Sequence, residues 1–233
     1  MKQLIFCSAS FHISSQPVIQ RENEYLHCII QLLRVIPKNY DVVICDNTIS
    51  KITDIQLIEL RNILCQSNIM FLILNRNIGV QNIGMGELDE LIFTSQNIDF
   101  KLYDKIVYFT LRKFVTNPWI FEKVNNLQKK ILVSNPPFLA LNIYNNVKDT
   151  YNFSYSDPTI NLYNDMFFAM SSDLMLKYIE YSINQMIINI KNKIGSEQNL
   201  YNFINNNKYE YEWLEYLGLI RIDYKANNEI QLI

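Results

Sequence analysis

Three of the chain's five glycines, Gly79, Gly84 and Gly86, fall within one stretch, NRNIGVQNIGMGELDEL at 75–91, and Glu87, Asp89 and Glu90 follow at once. Glycines gathered in this way let something come close to the backbone. One chemistry that needs such an approach is anion binding by the free N–H groups of a helix start. Two phosphate motifs fail. A P-loop needs Gly-Lys-Ser/Thr, but Glu87 and Leu88 follow Gly86. The dinucleotide fingerprint G-x-G-x-x-G breaks at Asp89, and it belongs after the first strand of its sheet. Two readings therefore stand. In one, the glycines let a helix pack tightly on a sheet, which propensity alone favours. In the other, GMGELDELIF opens a helix whose N–H groups face a ligand, with Glu87, Asp89 and Glu90 suited to its dipole.

The remaining chemistry-bearing residues narrow the field. Cys7, Cys28, Cys45 and Cys65 form no C-x-x-C pair, and His12 and His27 are not at ligand spacing from them. They are expected to be reduced thiols, with no zinc site or disulfide framework. A formal net charge of -2 gives no basic excess for nucleic acid. With 49% apolar residues, the composition is that of an ordinary globular protein. MKQLIFCSASF is too short in its apolar part for a signal peptide, and no run approaches the roughly 18 apolar residues of a membrane span. A cytoplasmic protein without a membrane span is expected, which leaves room for peripheral membrane contact.

The elements that must position these residues alternate. Apolar runs at 4–10, 40–47, 69–75, 104–110 and 129–134 predict strands. Helical periodicity at 20–36, ended by Pro37, predicts the first helix. Segments 53–64, capped by Thr53 or Asp54, and 117–127, with Pro118 in its first turn, predict two more. Near-continuous apolar strands between helices mean an α/β fold, with a mostly parallel sheet covered on both faces. Such sheets bind ligands at the carboxyl ends of their strands. The positions to weigh are thus Ser8 to Ser10, Asp46 and Asn47, Asn75 to Glu87, and Thr110 to Lys113. In the second half, 135–158 is turn-rich and aromatic. A strand runs into a long helix over 166–190, with Ser171 or Ser172 as cap, and a second helix covers 195–206. The end reads as a short helix and a hairpin.

Taken in order, these motifs resemble a family. VVICDNT closes the second strand, an N-x-G…G-x-G-E loop-helix follows the third, and YDKIVYFTLRKF forms the fourth. Nucleotide-sugar glycosyltransferases of the GT-A fold, family 2-like, are similar, and the resemblance spans roughly residues 3–206. FTLRKFVTN stands where most members carry a metal-binding D-x-D. NDMFFAMSSDLMLKY and GSEQNLYNFI look like the acceptor-side strand and the acidic helix start that follow it. The resemblance implies a Rossmann-like GT-A fold with a small C-terminal helix and hairpin portion. It implies a single glycosyltransferase-like domain over 1–233, with a nucleotide-sugar-binding half at 1–134 and an acceptor-side half at 135–233. A UDP- or GDP-type donor would supply a sugar to a glycan or lipid-linked hydroxyl by direct displacement, with weak or no dependence on a divalent metal.

Residue by residue, the resemblance implies that Asp46 contacts the base or ribose, although a D-N pair also makes an Asx turn readily. Ser8, Asn47, Asn75, Gly79, Gly86, Glu87 and Thr110 share the donor edge, and Ser10 could add a hydroxyl. Arg112 would neutralise the departing diphosphate, assisted by Lys113, or else pair with a nearby carboxylate as many surface arginines do. Asp104, the fallback metal ligand, starts its strand and so belongs to the wrong edge. Glu197 falls where inverting members hold their base, and it also reads as a first-turn acid favoured by a helix dipole. Asp165 is the rival base. Tyr151, Phe153, Tyr155 and Tyr163 could stack on a sugar or fill a core. Two other classes compete: a sugar-phosphate nucleotidyltransferase and a non-catalytic sugar- or partner-binding module. The loop SASFHISSQ, without glycine, Lys or Arg, counts against the first. The missing D-x-D keeps the second open.

Overall fold

The computed structural model describes residues 2–66, 68–128, 130–134, 138–139, 161–163, 166–214, 219–223 and 229–232. Its centre is a seven-stranded sheet built from β1 (Gln3–Ala9), β2 (Tyr40–Asp46), β3 (Ile69–Ile73), β4 (Lys105–Thr110), β6 (Ile131–Val133), β9 (Phe167–Ser171) and β10 (Tyr211–Trp213). The order is β10-β6-β9-β4-β1-β2-β3. All neighbours pair parallel except β9, which runs antiparallel to both β4 and β6. The expected mostly parallel sheet with helices on both faces is what the chain forms.

The pleat explains why these strands carry no polar face. Ile5, Cys7, Val42, Ile44, Val107, Phe109 and Ala169 point into one core, while Leu4, Phe6, Val43, Cys45, Ile106, Tyr108 and Met170 point into the other. Each strand's period of two thus feeds two apolar layers. Helices α1 (Val18–Val35), α2 (Ile58–Leu64) and α4 (Trp119–Asn125) cover the first core; α3 (Ile83–Asn97), α5 (Ser172–Asn192) and α6 (Ser196–Asn206) cover the second. Two short sheets stand apart: β5 (Phe114–Val115) with β11 (Leu219–Asp223) and β12 (Glu229–Leu232), and β7 (Phe138–Leu139) with β8 (Asn161–Leu162).

Two expectations need correction. The helix expected over 53–64 is a 3₁₀ turn, Ile52–Asp54, followed by the shorter α2. Asp54 turns back to accept the N–H groups of Ser50 and Lys51, and Glu22 of α1 reaches across to accept those of Gln56 and Leu57 at 2.9 and 2.7 Å. That distant carboxylate sets where α2 begins. Near the end of the chain, Tyr211–Trp213 is not helical but a parallel edge strand on β6, because an open sheet edge outweighs a local pattern. The expected hairpin is formed by β11 and β12.

Candidate active site

The carboxyl edge of the sheet gathers segments from five places. β1 and β4 end in register at Ser8 and Thr110, β1 and β2 at Ala9 and Asp46, and β2 and β3 at Asp46 and Ile73. Helix α3 starts from this edge. Antiparallel β9 carries the chain to the opposite edge, and the 21 residues of α5 bring it back. The start of α6 therefore also lies here, tied to α3 by the Asn82 side chain, which donates to the Ile194 carbonyl at 2.9 Å.

The glycine stretch now has an explanation. A Cβ on Gly86 would lie 2.7 Å from Cα of Gly79, so the 3₁₀ turn Ile78–Val80 presses directly on the first turn of α3. A Cβ on Gly84 would lie 2.4 Å from the Ser196 nitrogen, so α6 abuts α3 backbone to backbone. What comes close to these glycines is the protein's own main chain. Asn82 caps α3 by accepting the Met85 N–H at 3.3 Å, and Asn47 Nδ2 donates to the Gly86 carbonyl at 3.3 Å. Gly84→Ala is expected to force the two helices apart and cost about 1–3 kcal/mol, lowering Tm by roughly 3–10 °C. Gly79→Ala meets mainly the movable Asn77 side chain, at 2.8 Å, and should cost less. Equal melting of the two variants in a calorimeter would refute this packing account.

The acidic triplet does not serve the helix dipole. No acidic residue lies in the first turn of α3, and each of the three has its own partner. Asp89 takes a bidentate pair from Arg76 at 2.8 and 2.6 Å. Glu87 accepts from the Tyr108 hydroxyl at 3.1 Å. Glu90, fully buried, accepts from Ser8 Oγ at 2.5 Å. Burial, ahead of repulsion from Asp46 and Glu87, pushes Glu90 well above the usual carboxylate range, although the Ser8 hydroxyl pulls it back. Folding thus retains a proton that the unfolded chain releases above about pH 4.3. Stability from this group is complete below that pH and is lost as pH rises through the folded value, by at most about 1.4 kcal/mol per pH unit. Glu90→Gln should flatten the decline in urea-unfolding stability as pH rises above about 4.3. Parallel curves for the two proteins would show that Glu90 is not its source.

Asp46 is fully buried and binds main chain on both sides. Oδ2 accepts the Phe11 N–H at 2.6 Å, and Oδ1 accepts those of Thr48 at 2.7 Å and Ile49 at 2.9 Å. It clasps the loop after β1 to the turn after β2, as an Asx turn with one long-range bond. Burial raises its pKa and these bonds oppose the rise. Two polar atoms along this edge, Asn47 Oδ1 next to Asp46 and Thr110 Oγ1 at the end of β4, are buried without hydrogen bonds among the described residues. Buried acceptors in that state call for a ligand or water. Asn75 is exposed.

Arg112 sits in the tight turn between β4 and β5 with φ 81°, a left-handed conformation that a non-glycine residue adopts at a cost. Its Nη1 lies 3.6 Å from Glu24 Oε2; the arginine side chain is 32% exposed and the glutamate side chain 6%. Around that carboxylate stand residues that the sequence reading passed over. Arg21 of α1 is buried, donates from Nε to the Ser10 carbonyl and from Nη1 to Gln16 Oε1 at 2.6 Å, and lies over the Tyr25 ring. Burial lowers its pKa, and Arg112 lowers it further. The Tyr25 hydroxyl accepts the Ser10 N–H at 2.8 Å. Lys113 is buried nearby, 3.5 Å from the Thr110 carbonyl. Arg112 and Arg21 thus stand near the Glu24 carboxylate, with Asp46 also acting on Arg21, and Lys113 lies beside the Thr110 carbonyl where β1 and β4 end. The available signal was position: QRENEY opens the first helix after the first strand, so its polar residues also face this edge.

Glu197 is half-buried in the first turn of α6. Its Oε2 lies 2.6 Å from where a Cβ on Gly195 would stand, so the carboxylate folds back over its own helix start. It lies on the α3 face of the sheet edge, whereas Arg112 lies on the α1 face. A polar network fixes α6 against α5: Asn199 accepts from Asn189 at 2.8 Å and donates to Ser182 at 2.9 Å. Tyr163 is buried against Tyr201 and Tyr211, as core filler would be. Asp165, Tyr151, Phe153 and Tyr155 lie outside the described residues. Asp104 stands at the opposite edge, where its N–H meets the Lys2 carbonyl.

No family model matches the chain, and no curated protein matches its sequence. Among solved structures, the chain is similar to the "putative nucleotide-diphospho-sugar transferase" of Desulfovibrio desulfuricans G20, with a TM-score of 0.54 and 11% identity over 92% of this chain and 80% of that one. At that identity the likeness is one of fold: both chains share a Rossmann-like α/β architecture. Among the described residues, no helix is long and apolar enough to cross a membrane.

Proposed function

We propose that the chain is a glycosyltransferase that takes a nucleoside-diphosphate sugar, of UDP or GDP type, and transfers the sugar to a hydroxyl of a glycan or lipid-linked acceptor. The observation that carries this reading is that Arg112, Arg21 and Lys113 gather at the ends of β1 and β4, the two arginines near the Glu24 carboxylate and the lysine beside the Thr110 carbonyl. Open α/β sheets bind ligands at that edge, and guanidinium and ammonium groups gathered there suit a diphosphate. The fold shared with a nucleotide-diphospho-sugar transferase supports the same reading.

Arg112, the cation with solvent access, would bind the diphosphate through two N–H groups and stabilise charge as it departs. Asp46 would hold the two loops beneath the nucleoside, and the orphaned Asn47 and Thr110 oxygens could receive its donors. Glu197 would take the acceptor proton during direct displacement. The turn after β4 does not fit a divalent cation, because Thr110, Leu111, Arg112 and Lys113 offer no carboxylate and two positive charges.

A thermal-shift panel of nucleoside diphosphates and nucleotide-sugars, with manganese or with chelator, tests the donor. A ligand at about a hundred times its Kd adds about 2.7 kcal/mol to stability, which is readily seen. One nucleoside diphosphate should raise Tm with or without metal. A panel without any shift, or a nucleotide bound away from this edge, would overturn the reading.

A further inference from the structure

The outward face of α5 changes character halfway along. Its first half exposes Asp173, Lys177 and Glu180, an ordinary solvated face. Its second half exposes Ile183 at 50%, Ile187 at 81% and Ile188 at 48%, followed by exposed Lys191 and Lys193. No Asp or Glu occurs from 181 to 196, in a chain whose formal net charge is -2. The helix cannot roll to hide these isoleucines, because Ser182 and Asn189 point inward and are bonded to Asn199. This end of α5 lies at the candidate site's edge, joined to α3 through Asn82. On either side of Asn82, Val80 is 85% exposed and Ile83 67%. Five of the nine exposed large apolar side chains among the described residues thus occupy one corner, whereas single scattered ones are the norm.

We propose that this corner docks on an anionic lipid surface, with the second half of α5 lying in the interface plane, its isoleucines inserted and Lys191 and Lys193 at the headgroups. A basic, apolar helix face of this kind rests on a bilayer without crossing it. The charge decides the occupant. The exposed Lys191 and Lys193 suit anionic headgroups, the following Glu197 being half-buried and folded back over Gly195, while a second copy of the chain would need about 800 Å² per partner, more than half a helix supplies. Docking here would bring the edge that holds Arg112 and Glu197 to the bilayer, where a lipid-linked hydroxyl would be found.

The test is co-sedimentation with vesicles of phosphatidylcholine alone or of phosphatidylcholine and phosphatidylglycerol in equal parts, without nucleotide, so that its failure leaves the donor reading untouched. Binding should be confined to the mixed vesicles and weaken with salt. Each lysine contributes about fivefold near such a surface, so the pair Lys191→Gln and Lys193→Asn should lose about 25-fold. The pair Ile183→Asn and Ile187→Asn should abolish binding at unchanged Tm, while Lys177→Gln leaves it intact. Equal binding to neutral vesicles, no binding to either, or isoleucine variants that only dissolve a dimer in light scattering would each overturn the proposal.

Discussion

Glu197→Gln is expected to lower turnover by about a hundredfold to ten-thousandfold while leaving donor affinity nearly unchanged. Removing the acceptor proton matters only as the new bond forms, so the loss belongs to kcat and not to ground-state binding. The substitution keeps the shape of the side chain folded over Gly195, so the α6 start and its contact with Gly84 should survive. Asp165→Asn is the matched comparison. If it removes turnover and Glu197→Gln does not, the base is the other carboxylate. If neither variant loses turnover, no carboxylate base is at work and displacement by this route is wrong.

Arg112→Ala is expected to weaken nucleoside-diphosphate binding by about 10- to 150-fold, the worth of a charge-assisted pair of about 1.5–3 kcal/mol. The left-handed backbone adds a second readout. At φ 81° alanine keeps the strain of a Cβ, whereas glycine does not. Arg112→Gly should therefore lose as much affinity as Arg112→Ala yet be about 1–2 kcal/mol more stable than it. That combination would show a residue held in a costly conformation for its side chain. Turnover abolished by chelator but indifferent to Arg112→Ala would place the diphosphate on a metal instead, and the reading of this turn would fail.

The alternation of strand and helix was legible in the sequence because apolar periodicity is a local property. Strands such as LIFCSAS and YDVVICDN announce themselves whatever their neighbours. The carboxyl edge of the sheet followed from that alternation alone, and so did the positions at the ends of β1, β2 and β4. Partnership across long distances was not legible. Only the tertiary structure decided that the glycines at 79, 84 and 86 answer to each other's backbone and to Ser196, because both readings of the stretch need the same residues. The triplet Glu87, Asp89 and Glu90 looked like one dipole feature, yet three separate partners, Tyr108, Arg76 and Ser8, divide it. Arg21, Glu22 and Glu24 were hidden for the same reason. Charged residues at a helix start read as solvated until the fold closes the loops after β1, β2 and β4 over them, and burial then makes each pairing costly to break.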